Sequence, residues 1–424
     1  MSHRKFHPKL LTVIKEGYNL NFLKADIQAG LTVAIVALPL SMAIAIASHA
    51  KPEAGLFTAI IGGFLISLLG GSRFQIGGPA GAFIVLVASI IDRHGMDGLL
   101  LATIMAGLFI IAAGLCRLGR LIEHVPHAVV VGFSAGIAVI IFASQIRDLF
   151  GLTLNGLEPG ALLSKLQALF AVRDSVNFEA MALSVFAIGL IVAQRTWLPK
   201  FPGLLAAVVV CALLAWLAKM NVETIGTRFG VIPNGLPFPH VPAFDMAKLM
   251  AVLPDAASLA LLGSIESLLS AVVADRMAGR RHRSNMELVA QGVANVGSAL
   301  FGGLTATGTI ARTATNVKAG AHGPMSGIFH SAFLLLFMLF AAPLMSFIPL
   351  AALAGILAVV SWNMVEKPAV LEILKSSWRD TLVLLATFLL TIFRDLITGI
   401  AVGIILHFAL GLAISYLKKA EVTR

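Results

Sequence analysis

Apolar residues run along this chain in long blocks separated by short polar connections. A helix that spans a bilayer needs about 20 mostly apolar residues, fewer where it stops inside the membrane. On that rule the blocks predict spans at 27–48, 55–70, 98–115, 128–146, 179–194, 202–218, 251–274, 287–301, 325–347, 349–362, 380–393 and 396–416. Two further apolar segments, 78–91 and 307–320, are shorter and are entered through Gly, Pro or Thr. Together they predict an all-α polytopic membrane protein with about fourteen transmembrane segments. The apolar run that starts near Ile27 is too long for a signal-peptide core and has no small-residue cleavage site after it, so it is expected to be an uncleaved first span.

When the spans alternate, the basic residues sort to one face. The N-terminal segment, Arg117 and Arg120, Arg195 and Lys200, the 276–283 cluster, Lys367, Lys375 and Arg379, and Lys418 and Lys419 all fall together. The long connections 147–178 and 219–250 lie opposite. The positive-inside rule then predicts both termini in the cytoplasm.

Composition agrees with the spans. Hydrophobic residues are 58% of the 424 positions and charged residues 12%, with a mean hydropathy of +0.94. So little charge cannot cover the surface of a water-soluble globule. The net charge of +10 is explained by cytoplasmic loops, and no basic stripe interleaved with aromatics points to nucleic acid. Cys116 and Cys211 are expected to be small buried hydrophobes. His124 and His127 have metal-like spacing, but Pro126 interrupts them and no third ligand is near. The sequence calls for no cofactor. It contains no HExxH, GxSxG or Walker pattern, which leaves an enzyme without a catalytic constellation.

The two short segments carry the functional signal. Leu69-Gly70-Gly71 before the first is echoed by Phe301-Gly302-Gly303 before the second. With seven spans in each half, an odd number, the second repeat must run inverted relative to the first. Paired broken helices at equivalent positions of inverted halves mark a transporter's binding site. In the first, Gly77 and Gly78 permit an extended approach and Pro79 suits the first helical position, so the N–H groups of Ala80, Gly81 and Ala82 are expected to point into the membrane centre. In the second, Thr307 or Gly308 is expected to cap a helix whose first amides belong to Thr309, Ile310 and Ala311, with Arg312 about one turn in. Two facing helix N-termini beside a guanidinium make an anion site.

Glu266 lies near the middle of the apolar span 251–274. A carboxylate there costs about 2.5–3.5 kcal/mol on insertion scales, so a functional role is the default. Burial favours its neutral form, whereas a nearby Arg312 favours its charged form. Glu266 is thus a candidate proton carrier, a cation ligand together with Ser270 one turn on, or one half of a structural pair with Arg312.

These residues resemble the SulP anion permeases, the sulfate permease or solute-carrier sulfate/anion transporter family. The resemblance is carried by Leu-Pro-Leu-Ser-Met-Ala-Ile-Ala (38–45) with Gly55-Leu56-Phe57, and by Gly-Gly-Ser-Arg-Phe-Gln-Ile-Gly-Gly-Pro (70–79). It continues through Ile-Glu-Ser-Leu-Leu-Ser-Ala-Val-Val-Ala-Asp (265–275), Gln291-Gly292, Asn295 and the run 301–313 with Asn316. It spans nearly the whole chain and looks closest to bacterial members that carry dicarboxylate, sulfate or bicarbonate.

The resemblance implies a 7+7 inverted repeat with elevator-like transport. A cytoplasmic segment 1–25 would precede core halves 26–122 and 250–348 and gate halves 123–220 and 349–416, with an extracytoplasmic loop 221–249 and a tail 417–424. The anion would sit between the third and tenth spans, against Gly78, Pro79, Ala80, Gly81, Thr309, Ile310, Ala311 and Arg312, with Leu40 and Ile44 as a wall. Glu266 matches the family's acidic residue for proton or sodium coupling, and Ser270 a hydroxyl used with sodium. Many relatives have Gln at the position of Leu40, an aromatic at that of Ile44 and Ser at that of Ala311, so the site here is less polar. Relatives usually continue into a STAS domain, and the chain matches the membrane domain alone. The implied partners are a small anion, a proton or sodium ion, and the lipid bilayer of a bacterial cytoplasmic membrane; pairing of two copies is left open.

Overall fold

The structure is a computed structural model that describes residues 6–119, 126–154, 156, 158–197, 203–243 and 245–422, with 413–422 as backbone. Its first half contains α1 (Lys9–Lys15), α2 (Leu20–Ala47), α3 (Pro52–Leu69), strand β1 (Gly77–Gly78), α4 (Ile84–Leu115), α5 (His127–Phe150), α6 (Leu162–Ala171), α7 (Phe178–Trp197) and α8 (Gly203–Leu217). The second half contains α9 (Ile225–Phe229), α10 (Met246–Ala278), α11 (Ser284–Leu300), strand β2 (Thr307–Gly308), α12 (Ile310–Lys318), α13 (Met325–Met345), α14 (Leu350–Met364), α15 (Lys367–Ser376), α16 (Trp378–Phe393) and α17 (Leu396–Val422).

Among the described residues, eight helical stretches are long and apolar enough to cross a bilayer unaided. The expected fourteen segments are reached because α4 is two of them, and because α8, α11, α12, α16 and α17 are shorter or more polar. Gly95 (φ +69°, ψ −179°) breaks α4 in a conformation that side chains disfavour, separating the short segment from the one that follows. Helix starts differ from the hydropathy blocks where a polar cap extends them. Asn19 accepts from the Phe22 amide, so α2 begins at Leu20 rather than 27. Asp245 caps α10 at Met246 in the same way. The helices α1, α6, α9 and α15 lie in the connections, where hydropathy alone predicts nothing.

The packing obeys an inverted two-fold relation. The second arm of α4 lies against α10 and α11; its counterpart in the other half, α13, lies against α2 and α3. Likewise α5 with α16 mirrors α14 with α7, and α16 with α17 mirrors α7 with α8. The helices therefore form two groups. One contains α2–α4 and α10–α13, and the other α5, α7, α8, α14, α16 and α17; they meet chiefly where α2 touches α8 and α14. Within the first group backbones come close: a Cβ at Gly107 would lie 2.6 Å from the Gly292 carbonyl, and one at Gly292 would lie 2.4 Å from the Gly107 carbonyl. This small-residue contact lets α4 and α11 pack without side chains between them.

The N-terminal segment and the basic cluster also bind one another. Arg283 donates to the His7 carbonyl and to Thr12 Oγ1, Lys9 Nζ donates to the Arg281 carbonyl, and Arg73 pairs with Glu16. That guanidinium holds the Glu16 carboxyl below the usual carboxylate range. The 280–283 run is thus a docking face for α1 as well as a charge signal. Asp275 takes both the amide and the ring Nδ1 of His282, each at 2.7 Å. Cys211 is buried as expected. Cys116 is not: it caps the end of α4 and is exposed, because the apolar run stops there. His127 is exposed at the start of α5, while Arg120, His124 and Lys200 lie outside the described residues.

Candidate functional site

The two short segments meet backbone to backbone. β1 and β2 pair antiparallel, Gly77 with Gly308 and Gly78 with Thr307, and the Thr309 amide adds a bond of 3.0 Å to the Ile76 carbonyl. Extended backbone at membrane depth needs its polar groups satisfied by protein, and each segment here satisfies the other. Antiparallel strands that each lead into a helix send those helices away in opposite directions. Their N-termini are therefore left facing a common space.

Both helices start later than the sequence predicts. Pro79 is not the first helical residue: Ala80 is the extended cap (φ −118°, ψ 145°) of a 3-10 turn, Gly81–Phe83, that leads into α4. Thr309, rather than Thr307 or Gly308, caps α12 (φ −103°, ψ 123°). The pairing of β1 with β2 consumes the residues that would otherwise have been a first turn. The amides without intrahelical carbonyls are consequently those of Gly81 and Ala82 on one side, and of Ile310, Ala311 and Arg312 on the other.

A cavity of about 440 Å³ lies at these termini. It is lined by Pro79, Ala80, Gly81, Thr309, Ile310, Ala311, Arg312, Glu266, Leu40 and Ile44. Across from them stand Phe133, Ile137 and Ile141 of α5 and Leu357 and Val360 of α14, so the two helix groups share the cavity. It continues past Thr315 to Arg195, Asn363 and Glu366. There Arg195 Nη1 donates to Asn363 Oδ1 at 3.1 Å.

Arg312 is 1% exposed. Its Nη2 donates to the Pro79 carbonyl at 3.0 Å, while Nε and Nη1 have no partner among the described residues. A buried guanidinium left with open donors is expensive unless an anion completes it. Glu266 lines the same cavity but forms no ion pair with Arg312, and it has no hydrogen-bond partner among the described residues. Two predicted residues stand outside the cavity lining. Gly78 lies behind Arg312 (φ +156°), where a Cβ would be 2.3 Å from Nη1. Ser270 is fully buried and donates to Thr313 Oγ1 at 3.2 Å. The stripe of α10 that grips the second segment is Gly263, Ser267 and Ser270: Ser267 meets Thr307 Oγ1 at 2.7 Å, and Thr307 donates to the Gly263 carbonyl at 3.3 Å. Glu266 sits on the neighbouring face, turned to the cavity.

Comparison with known proteins decides the family. The model of the sulfate permease family matches residues 23–387. The chain belongs to the sulfate permease family. It is 44% identical over 394 residues to a putative sulfate transporter YvdB of Bacillus subtilis, covering 93% of this chain and 74% of that one. It is 35% identical over 390 residues to the bicarbonate transporter BicA of Synechocystis, covering 90% and 68%. The solved transmembrane domain of a cyanobacterial BicA superposes with a TM-score of 0.81 at 34% identity, covering 90% of this chain and 98% of that one. The overall structure of SLC26A9 superposes at 0.87 with 17% identity, covering 98% and 68%, a likeness of fold. This sulfate permease family member is a multi-pass membrane anion transporter with seven segments in each inverted half, and it is not an enzyme.

Within this family frame, sequence reasoning missed the wall that α5 and α14 supply and the Arg195–Asn363–Glu366 mouth. No local signal marks them. Phe133 and Ile141 look like any apolar span residues, and only the meeting of the two groups places them at the site. Gln75, outside the cavity lining, is buried with neither side-chain polar atom partnered among the described residues, and it lies across Gly308 so closely that a Cβ there would sit 1.7 Å from Nε2. Substituting Gly78 with alanine is expected to displace Arg312 from the Pro79 carbonyl, because the new methyl takes the place of Nη1 and the backbone is strained as well. The variant should insert normally and lose at least about tenfold in anion affinity, a cost of about 1.4 kcal/mol. Equilibrium binding to purified protein checks this; unchanged affinity would show that Arg312 does not need the space.

Proposed function

We propose that this protein is a secondary active transporter of a small anion of the sulfate, bicarbonate or C4-dicarboxylate class, coupled to protons through Glu266. The observation that carries the reading is the buried Arg312 with two open donors, held beneath two helix N-termini in a cavity of about 440 Å³. The amide ends and the guanidinium together favour an anion. The anion binds against Gly81, Ile310, Ala311 and Arg312, with Leu40 and Ile44 as an apolar wall. The relatives' named cargoes, sulfate and bicarbonate, match a site of this charge and size.

The helix group α2–α4 with α10–α13 carries both half-helices and acts as the moving core. The group of α5, α7, α8, α14, α16 and α17 acts as the gate. Sliding of the core past α5 and α14 carries the anion across, an elevator motion, and the mouth at Arg195 and Glu366 gives the cavity an opening toward the face of both chain ends. The basic loops support a reading in which that face is cytoplasmic and the protein sits in a bacterial cytoplasmic membrane. Proton coupling is favoured over sodium because the Glu266 carboxyl has no hydrogen-bond or ion-pair partner among the described residues, while the Ser270 hydroxyl is spent on Thr313. In proteoliposomes, labelled sulfate, bicarbonate or succinate is expected to accumulate under an imposed proton gradient without sodium. If uptake requires sodium at fixed pH, or follows the anion gradient alone, the coupling assignment fails; if none of the anions is carried, the substrate class fails.

A further inference from the structure

A second, amphipathic cavity lies far from the anion site, on the lipid-facing side of the boundary between the two helix groups. Both α8 and α13 pack on α2, and between them they leave a furrow of about 550 Å³. Its walls are apolar throughout, with Leu38 of α2, Leu205, Val209 and Ala212 of α8, and Phe337 and Leu344 of α13. At the face opposite the chain ends the furrow runs into a second cavity of about 810 Å³, and Ala212, Trp216 and Phe347 line both. The second cavity is polar where the first is not. Lys219, Asn221 and Ser346 line it, and no carboxylate does.

Three features agree on what fits. Along α8 the furrow extends from Leu205 to Trp216, which at about 1.5 Å per residue is ~16 Å, close to one leaflet of a hydrocarbon core ~30 Å thick. Trp216 stands at the junction, the depth at which tryptophan marks a membrane interface. Beyond it, Lys219 is exposed and has no carboxylate partner among the described residues, and the Ser346 hydroxyl is buried with no partner.

We propose that this bipartite cavity holds one anionic glycerophospholipid, with an acyl chain in the furrow between α8 and α13 and its phosphate at Lys219 and Ser346. The lipid bridges helices of both groups, so it is a component of the seam rather than bulk solvent.

The test uses the full chain in nanodiscs made from equal parts phosphatidylglycerol and phosphatidylcholine, with retained lipid counted by mass spectrometry of the intact protein. The wild-type protein is expected to keep one phosphatidylglycerol in preference to phosphatidylcholine. Lys219→Gln should lower that retention about fivefold, the worth of one lysine at an anionic surface. Ala212→Trp, which fills the junction of the two cavities, should remove lipid of either headgroup, and Ala341→Trp does the same from α13 should the first variant not fold. Lipid retention equal in the wild type and the furrow-filling variant overturns the site. Loss only with the tryptophan variants, and none with Lys219→Gln, overturns the assignment of the headgroup. Because the readout is bound lipid, the outcome is independent of which anion the protein carries.

Discussion

Arg312→Met is expected to abolish anion binding and, at the same time, to make the empty protein more stable. The two effects have one cause. Among the described residues only Nη2 of the buried guanidinium has a partner, so without an anion the fold carries a desolvation cost that those residues do not offset. Replacing such a group with an apolar side chain of similar length is often stabilising, here by about 1 kcal/mol or more. An anion supplies the missing partner, and truncating one member of a buried charge pair costs about 2–5 kcal/mol, which is a loss of roughly 30-fold or more in affinity. Thermal unfolding with and without substrate reads both terms: the midpoint of the empty variant should rise, and its shift on adding anion should vanish. Arg312→Lys keeps the charge and should fall between, since the ammonium lacks the planar fork that grips an oxyanion through two parallel bonds. A variant that binds normally would remove Arg312 from the site. One that simply unfolds would show that its bond to Pro79 is structural.

The sequence makes the fold legible to a large degree because lipid imposes a length rule on every span, and charge sorts the loops. Even the two half-helices are marked, since Gly77-Gly78-Pro79 and Thr307-Gly308-Thr309 cannot continue a helix comfortably. What they do instead is not legible. That the residues ahead of each helix pair as strands depends on a partner more than two hundred residues away, and this pairing moves each helix start by one or two positions. The same limit explains Ser270. Helical spacing places it near Glu266, but spacing cannot show that Thr313 occupies its hydroxyl. The apolar wall from α5 and α14 is the extreme case, because its residues become part of a site only when one helix group lies against the other. Short polar helices such as α1 and α15 escape a hydropathy reading altogether, yet α1 is tied to both halves through Glu16 with Arg73 and Arg283 with Thr12.

Glu266→Gln is expected to leave anion exchange intact and to abolish accumulation driven by protons. Glutamine copies the shape of the protonated acid, so the variant resembles a permanently loaded state. The carboxylate left in the cavity lining is then Glu366 at the mouth, and anion binding at Arg312 and the helix termini should be as tight as in the wild type at low pH and no longer weaken as pH rises. In the wild type the sign follows from repulsion: an ionised Glu266 in the same cavity opposes the anion, and protonation relieves it, so affinity should increase as pH falls. A gradient of about one pH unit is worth about 1.4 kcal/mol, so one coupled proton permits roughly tenfold accumulation. The variant should reach no more than the external concentration under the same gradient. Two measurements separate the possibilities, counterflow of labelled anion at equal pH and net uptake under a pH step. Loss of both would make Glu266 a structural residue, and retention of both would show that the proton travels elsewhere. Only retained counterflow with lost uptake agrees with a carboxyl that stands unpaired in the cavity because it must release its proton on each cycle.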